Sequence, residues 1–175
     1  LQEYYSPHLP YYGDEHKSKG KAGVYFMGEL AEYIGLGFNT ERVSRTEAPK
    51  TLKDLLDPKW KGKMSVTSST TSITWLGNAL ETMGRDFIEK LSSQDIKVQN
   101  MSGGSLLNMI GSGEVALSPT IFDDTVFVAR QKGAPVEWLP QEPAVSFVHN
   151  LGITTKSPHP HTAMLFLDFV HSREG

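Results

Sequence analysis

The chain has 175 residues, a net charge of −3 and no cysteine. This length is enough for one well-filled domain with part of a second. Charges of both signs are mixed along the chain and create no basic field, which argues against nucleic acid as a partner. The lack of cysteine excludes thiol catalysis, disulfides and cysteine-based zinc sites. No apolar run approaches the ~20 residues that a membrane-spanning helix needs.

Two strands are predicted in the first 40 residues, after an irregular opening rich in tyrosine and proline. Residues 24–27 begin the first strand and residues 34–40 form the second, because both runs are rich in β-branched and aromatic residues. A polar turn precedes the first of them.

A short helix followed by a strand is predicted within residues 48–66. Pro49 disfavours the helical state for the residue before it, and Thr51 can cap the helix. Leu52, Leu55 and Leu56 follow at a spacing that forms one apolar stripe. A turn at residues 61–63 then leads into a strand that includes Met64 and Val66.

This strand runs into residues 67–72, a series of serine and threonine residues, and then into a helix. The apolar positions of the predicted helix are Ile73, Leu76, Leu80 and Met83. A strand that joins a helix through small hydroxyl residues directs several N–H and O–H groups towards one point. Thr70, Thr71 and Ser72 therefore form a candidate site for an anion or another polar ligand.

Two further loops have the same character. A helix at residues 86–91 and a strand at 96–98 precede Ser102 and Gly103, which lead into another helix. The loop lacks the spacing of a nucleotide P-loop, which excludes phosphate-transfer chemistry of that kind. A buried strand is predicted at residues 115–122, and Asp123 and Asp124 open the helix that follows it. Ordinary helix capping is the simpler explanation of each loop taken singly.

The remaining elements complete an α/β pattern. Strands are predicted at residues 136–140 and 145–148, and a last helix at residues 162–171. Alternating strands and helices favour a single central sheet covered by helices. His159 and His161 stand before the last helix in a Pro-His-Pro-His segment, which can either chelate a metal ion or simply begin the helix.

The stretch P-x-T-x-x-D-L-L-D-P-K-W-K-G-K at residues 49–63 resembles extracytoplasmic solute-binding proteins of ABC importers. It is most similar to their ferric-iron-binding subgroup, which has the type II periplasmic-binding-protein fold. The resemblance implies an α/β lobe with a central mixed sheet and helices on both faces. It also implies a leading segment and crossing strands at residues 1–40, a second-lobe core at 41–150, and a returning strand and terminal helix at 151–175.

The same resemblance implies that the chain is a piece of a two-lobed protein without its first lobe and export signal. The expected location is periplasmic or extracytoplasmic, either free or held through a membrane anchor at the absent N-terminal signal. The expected partners are a small-molecule or ion ligand and the membrane subunits of an ABC permease, and no enzymatic activity is expected. Tyr25 would then face the ligand cleft, with core packing as the alternative.

One departure from the subgroup concerns the metal. Ferric-binding members hold iron through two adjacent tyrosines after a Gly-Glu turn, and this chain has Asp123 and Asp124 at that position. Carboxylates suit hard cations, so these residues are candidate ligands for Fe³⁺ or another cation with a bound anion. The alternative is that they only cap their helix.

The expected function is capture of a small polar or anionic solute, or of a hard cation with an anion, by closure of a cleft. Two alternatives stay open, namely an effector-sensing domain of a regulator with the same fold, and a hydrolase. No serine occupies the strained turn that a hydrolase nucleophile requires. The candidate ligand-binding residues are Thr70, Thr71, Ser72, Ser102, Gly103, Asp123, Asp124 and Tyr25.

Overall fold

The computed structural model describes all 175 residues and divides them into two compact units. The first unit consists of Leu1–Ala31 and Val148–Gly175, and the second of Glu32–Phe147. The seven strands are β1 (Lys17–Lys19), β2 (Val24–Asn39), β3 (Ser65–Thr67), β4 (Lys97–Gln99), β5 (Leu117–Phe122), β6 (Val136–Leu139) and β7 (Val145–Leu151). The five helices are α1 (Thr70–Met83), α2 (Arg85–Ser92), α3 (Gly103–Gly111), α4 (Asp123–Gln131) and α5 (Pro160–Val170). None of them has the length and apolar character required to cross a membrane.

The second unit is built on strands of mixed direction. The second part of β2 pairs antiparallel with both β5 and β6. β3 and β4 form a separate two-stranded parallel sheet, so the single sheet expected from the sequence is in fact two; only an isolated parallel bridge between Met64 and Leu117 connects β3 to the start of β5. Helices α1, α3 and α4 contact these strands. The predicted α/β class is therefore confirmed.

The predicted short helix lies in the core of this unit. Residues Leu52–Leu56 form a 3-10 helix, with a capping box in which Thr51 and Asp54 each accept the other's backbone N–H. Leu52 and Leu55 are buried beside Trp60, as the apolar spacing predicts. Partial burial opposes ionisation of Asp54, but backbone and hydroxyl hydrogen bonds outweigh it and lower the pKa of this carboxyl.

The first unit has its own core. β1 pairs antiparallel with the first part of β2, and Tyr4 forms an isolated bridge with Val24. Tyr4, Val24, Met27, Ile153 and Leu167 pack together, the last of these from α5. Burial, with a smaller contribution from the charge of Asp168, raises the pKa of Tyr4 to about 12.

Two predictions about secondary structure are corrected. The two strands expected within residues 24–40 are one strand of 16 residues, whose first part pairs with β1 and whose second part pairs with β5 and β6, while β7 pairs with it as well. Pairing with a neighbour is a tertiary contact that local composition does not reveal.

The second correction concerns α1. Its apolar residues Ile73, Leu76 and Leu80 are 69%, 42% and 50% exposed, whereas Ser72, Trp75 and Ala79 form the buried face. The helix is thus rotated so that one large aromatic ring, rather than the aliphatic stripe, packs against the unit. Ile73 and Leu76 instead line an open apolar cavity of about 600 Å³.

Candidate functional site

The three predicted loops lie at one edge of the second unit. Each follows the carboxyl end of β3, β4 or β5, and these three strands run parallel. The carboxyl ends of neighbouring parallel strands share an edge, where ligands bind in open α/β sheets. The first two loops are in direct contact, since the Ser68 hydroxyl donates to Asn100 Oδ1 over 3.2 Å.

The N-terminus of α1 carries donors that nothing in the chain satisfies. No side chain caps this helix at Ser69, and the first intrahelical bond runs from the Ile73 N–H to the Ser69 carbonyl oxygen. The N–H groups of the first turn are consequently unpaired, and the helix dipole gives them positive character. Thr70 is exposed and Thr71 half-buried, and neither hydroxyl has a partner in the chain. This turn can bind an anionic or other acceptor group.

Ser72 plays a different part because its hydroxyl points inward. The Ser72 Oγ lies 3.3 Å from Thr67 Oγ1 and 3.4 Å from Thr120 Oγ1. Thr120 Oγ1 in turn lies 3.2 Å from the hydroxyl of Ser118, and both residues are buried in β5. These hydroxyl contacts connect the start of α1 to β3 and β5. The group that Ser72 leaves available to a ligand is its backbone N–H.

The second loop shows the capping role. Ser102 Oγ accepts the N–H of Ser105 over 3.1 Å at the start of α3, and the two hydroxyl oxygens lie 2.9 Å apart. One donor of that helix is therefore satisfied within the chain. Gly103 borders open space, since a Cβ added there would meet nothing within 4 Å. Its backbone is accessible to a ligand.

The aspartate pair opens α4 and retains acceptor capacity. Asp123 Oδ1 accepts the Tyr33 N–H over 3.2 Å, and Asp124 Oδ1 accepts the Thr125 N–H over 2.5 Å. Each carboxylate oxygen offers further lone pairs to a cation, a hydroxyl or an N–H group. Both border an open cavity of about 390 Å³ together with Arg130.

The remaining candidates are located elsewhere. Tyr25 belongs to the first unit, where its side chain is 37% exposed on β2, and its contact with ligand stays a prediction. His159 precedes α5 and His161 lies in its first turn. No group of three or more histidine, aspartate and glutamate side chains is placed to hold a metal ion.

Sequence reasoning missed the buried hydroxyls of Thr67, Ser118 and Thr120. The sequence feature that could have revealed them is a hydroxyl residue at every second position of a strand that is otherwise apolar. Buried polar groups are paired in the large majority of cases, and the partner that Thr120 finds in Ser72 comes from a distant part of the chain.

Known proteins share both sequence and fold with this chain. An uncharacterized protein of Haemophilus influenzae is 26% identical to this chain in an alignment 187 residues long, gaps included. The alignment covers 100% of this chain and 54% of the relative. A structure of the periplasmic binding protein AfuA from Actinobacillus pleuropneumoniae, bound to exogenous fructose-6-phosphate, is 24% identical with a TM-score of 0.80, over 99% of this chain and 58% of that one. A structure of iron-bound HitA from Pseudomonas aeruginosa is 21% identical with a TM-score of 0.78, over 98% and 58%.

These matches confirm the predicted periplasmic-binding-protein fold. The chain spans little more than half the length of the proteins it matches. A family profile described as bacterial extracellular solute-binding protein matches residues 1–175, which is the whole chain. The resemblance carried by residues 49–63 is therefore confirmed, and the chain belongs to the family of bacterial extracellular solute-binding proteins.

Proposed function

We propose that this chain forms mostly the second lobe of a solute-binding protein that serves an ABC importer. The protein captures a small polar or anionic solute in the extracytoplasmic space and delivers it to permease subunits in the membrane. Binding involves no covalent chemistry and is completed when the first lobe of the full-length protein closes over the ligand.

The observation that carries this proposal is the uncapped N-terminus of α1. Three backbone N–H groups and the hydroxyls of Thr70 and Thr71 lack partners, while Ser102 caps the neighbouring helix α3. Unpaired donors at a helix N-terminus are well suited to a phosphate or carboxylate group.

The aspartate pair narrows the class of ligand. Asp123 and Asp124 follow the neighbouring parallel strand and would repel a bare anion, but they accept hydrogen bonds from hydroxyl groups and bind cations. A ligand with an anionic end and a hydroxyl-rich end satisfies both loops, and so does an anion bridged to Fe³⁺ or another hard cation. Fructose-6-phosphate, present in the AfuA structure, belongs to the first class, and iron, present in the HitA structure, to the second.

The test uses the full-length protein that contains this chain. Native mass spectrometry identifies the solute that co-purifies with it, and calorimetry then measures affinity in the double variant Thr70→Val/Thr71→Val. We expect the affinity to fall by about tenfold or more, because each lost hydrogen bond to a charged group contributes ~1.5–3 kcal/mol. Thr74→Val is the matched control, since it makes the same change one turn further along α1. Equal affinities in the double variant and the control would contradict the proposal.

A second variant tests whether the two aspartates bind the solute. Asp123→Asn/Asp124→Asn keeps the side-chain shape and the acceptor oxygens for the Tyr33 and Thr125 N–H groups but removes both charges. If these residues bind the solute or its cation, affinity falls sharply while stability changes by no more than ~0.3–1 kcal/mol. Unaltered affinity would show that the two charges interact only with the dipole of α4 and do not contact the solute.

Uptake measurements separate transport from the other classes. Deletion of the gene should abolish uptake of the identified solute. If uptake persists and transcription responds to the solute instead, the protein is a sensor. Turnover of the solute by the purified protein would identify a hydrolase.

A further inference from the structure

The opposite end of β3 borders a second polar cavity, which the proposed function does not use. Its volume is about 360 Å³, and it lies among β3, β4, the end of α3 and the start of β5. The cavity reaches the ligand edge at Gln99, whose carbonyl oxygen accepts the Ser68 N–H over 3.0 Å. None of its lining residues, however, is a candidate ligand-binding residue of the three loops, so the two sites are made of different side chains.

Strand register brings its side chains to one face. Ser65 of β3 pairs with Lys97 of β4, and the next residues on the same face, Thr67 and Gln99, also pair. Alternate residues of a strand point to the same side, so Lys63 and Ser65 lie on the face that carries Lys97 and Gln99. Lys63, Ser65, Lys97 and Gln99 all line the cavity.

The cavity is electrostatically unbalanced. Arg42, Lys63 and Lys97 line it, and none of them forms an ion pair or a side-chain hydrogen bond within the chain. The Arg42 guanidinium lies over Gly113, where an added Cβ would come within 3.1 Å of Arg42 Nε. Glu114 is the only carboxylate in the lining, which leaves two surplus positive charges in a chain whose net charge is −3.

A serine hydroxyl adds a neutral donor to these cations. Ser65 is 2% exposed and lines this cavity, yet its hydroxyl has no hydrogen-bond partner in the chain. Although the residue is buried, Ser65 borders the cavity, so its hydroxyl can donate to water or to a ligand there. A phosphate oxygen in the cavity would accept this hydroxyl together with the surrounding cations.

We propose that this cavity binds a phosphate dianion, either free or as the phosphoryl group of a small metabolite. Two surplus positive charges match a dianion better than a monocarboxylate, and the volume leaves room for a substituent on the phosphoryl group. The site is separate from the solute site and does not depend on the proposed transport function.

Calorimetry on the full-length protein tests this, with inorganic phosphate and a hexose phosphate as separate probes at low salt. Lys63→Gln/Lys97→Gln should weaken binding by about tenfold or more, and Ser65→Ala should weaken it by a few-fold. The control Lys53→Gln/Lys90→Gln removes the same charge from exposed lysines that do not line the cavity. It should leave affinity unaltered.

Tighter binding of inorganic phosphate would identify the free ion as the ligand, and tighter binding of the hexose phosphate would identify a phosphorylated metabolite. The proposal is overturned if neither probe binds, if Lys63→Gln/Lys97→Gln binds as the parent does, or if the control loses as much affinity. Affinity lost only in Thr70→Val/Thr71→Val would place the phosphate at the solute site and also overturn it. That last result would support the proposed function, and the others would leave it unaffected.

Discussion

The orientation of α1 can be tested by two substitutions at adjacent positions. Leu80 is 50% exposed, whereas the side chain of Ala79 is fully buried against the second unit. Leu80→Ala removes a half-exposed side chain without creating a cavity, and Ala79→Leu forces three extra carbons into a packed interface. The sequence pattern alone predicts the opposite ranking, because it places Leu80 on the apolar stripe.

The magnitudes follow from burial. Complete burial of a leucine stabilises by ~1.5–3 kcal/mol, so a half-exposed one contributes roughly 1 kcal/mol, and the better helix propensity of alanine offsets a few tenths of that. Leu80→Ala should therefore lower the free energy of unfolding by less than ~1 kcal/mol. Overpacking at Ala79 should lower it by ~1–3 kcal/mol.

Urea unfolding followed by tryptophan fluorescence is the appropriate assay. All three tryptophans, Trp60, Trp75 and Trp138, belong to the second unit, so the signal reports on the unit that contains α1. The dependence of the unfolding free energy on urea should stay the same in both variants. A loss above ~2 kcal/mol for Leu80→Ala, or no loss for Ala79→Leu, would refute the orientation of the helix.

Three further predictions concern single residues of the second unit. Asp54→Ala should cost about 1 kcal/mol through loss of the capping box. The pKa of Asp54 is lowered in the folded state, so its stabilisation is present above the unfolded pKa of ~3.9 and is lost as pH falls through the folded value. The difference in unfolding free energy between Asp54→Ala and the parent, measured by urea unfolding, should therefore shrink in acid. Gly35→Ala should lower the free energy of unfolding by ~1–3 kcal/mol, since the added Cβ would lie 2.6 Å from a backbone oxygen. Gly77→Ala in α1 places its Cβ in open space and should raise the melting temperature. Thr120→Val should weaken solute binding more than Thr120→Ser, which keeps the hydroxyl beside α1, and equal affinities would contradict a positioning role.

Local residue patterns predicted the elements around residues 49–72 well. Thr51 caps its helix, two of the three leucines are buried, and a strand joins α1 through the serine and threonine series. These features depend on neighbours within a few residues, so the sequence alone determines them. The long motif in this stretch also predicted the family, and the profile match over residues 1–175 confirms it.

The tertiary structure decided which groups remain available for binding. The Ser72 hydroxyl points inward because it meets Thr120, which lies 48 positions further along the chain, whereas Thr70 two residues earlier stays exposed. The cations at residues 42, 63 and 97 likewise meet only because strand register and the parallel bridge bring them to one cavity. Contacts between distant residues set the orientation of each side chain, and a linear pattern does not contain that information.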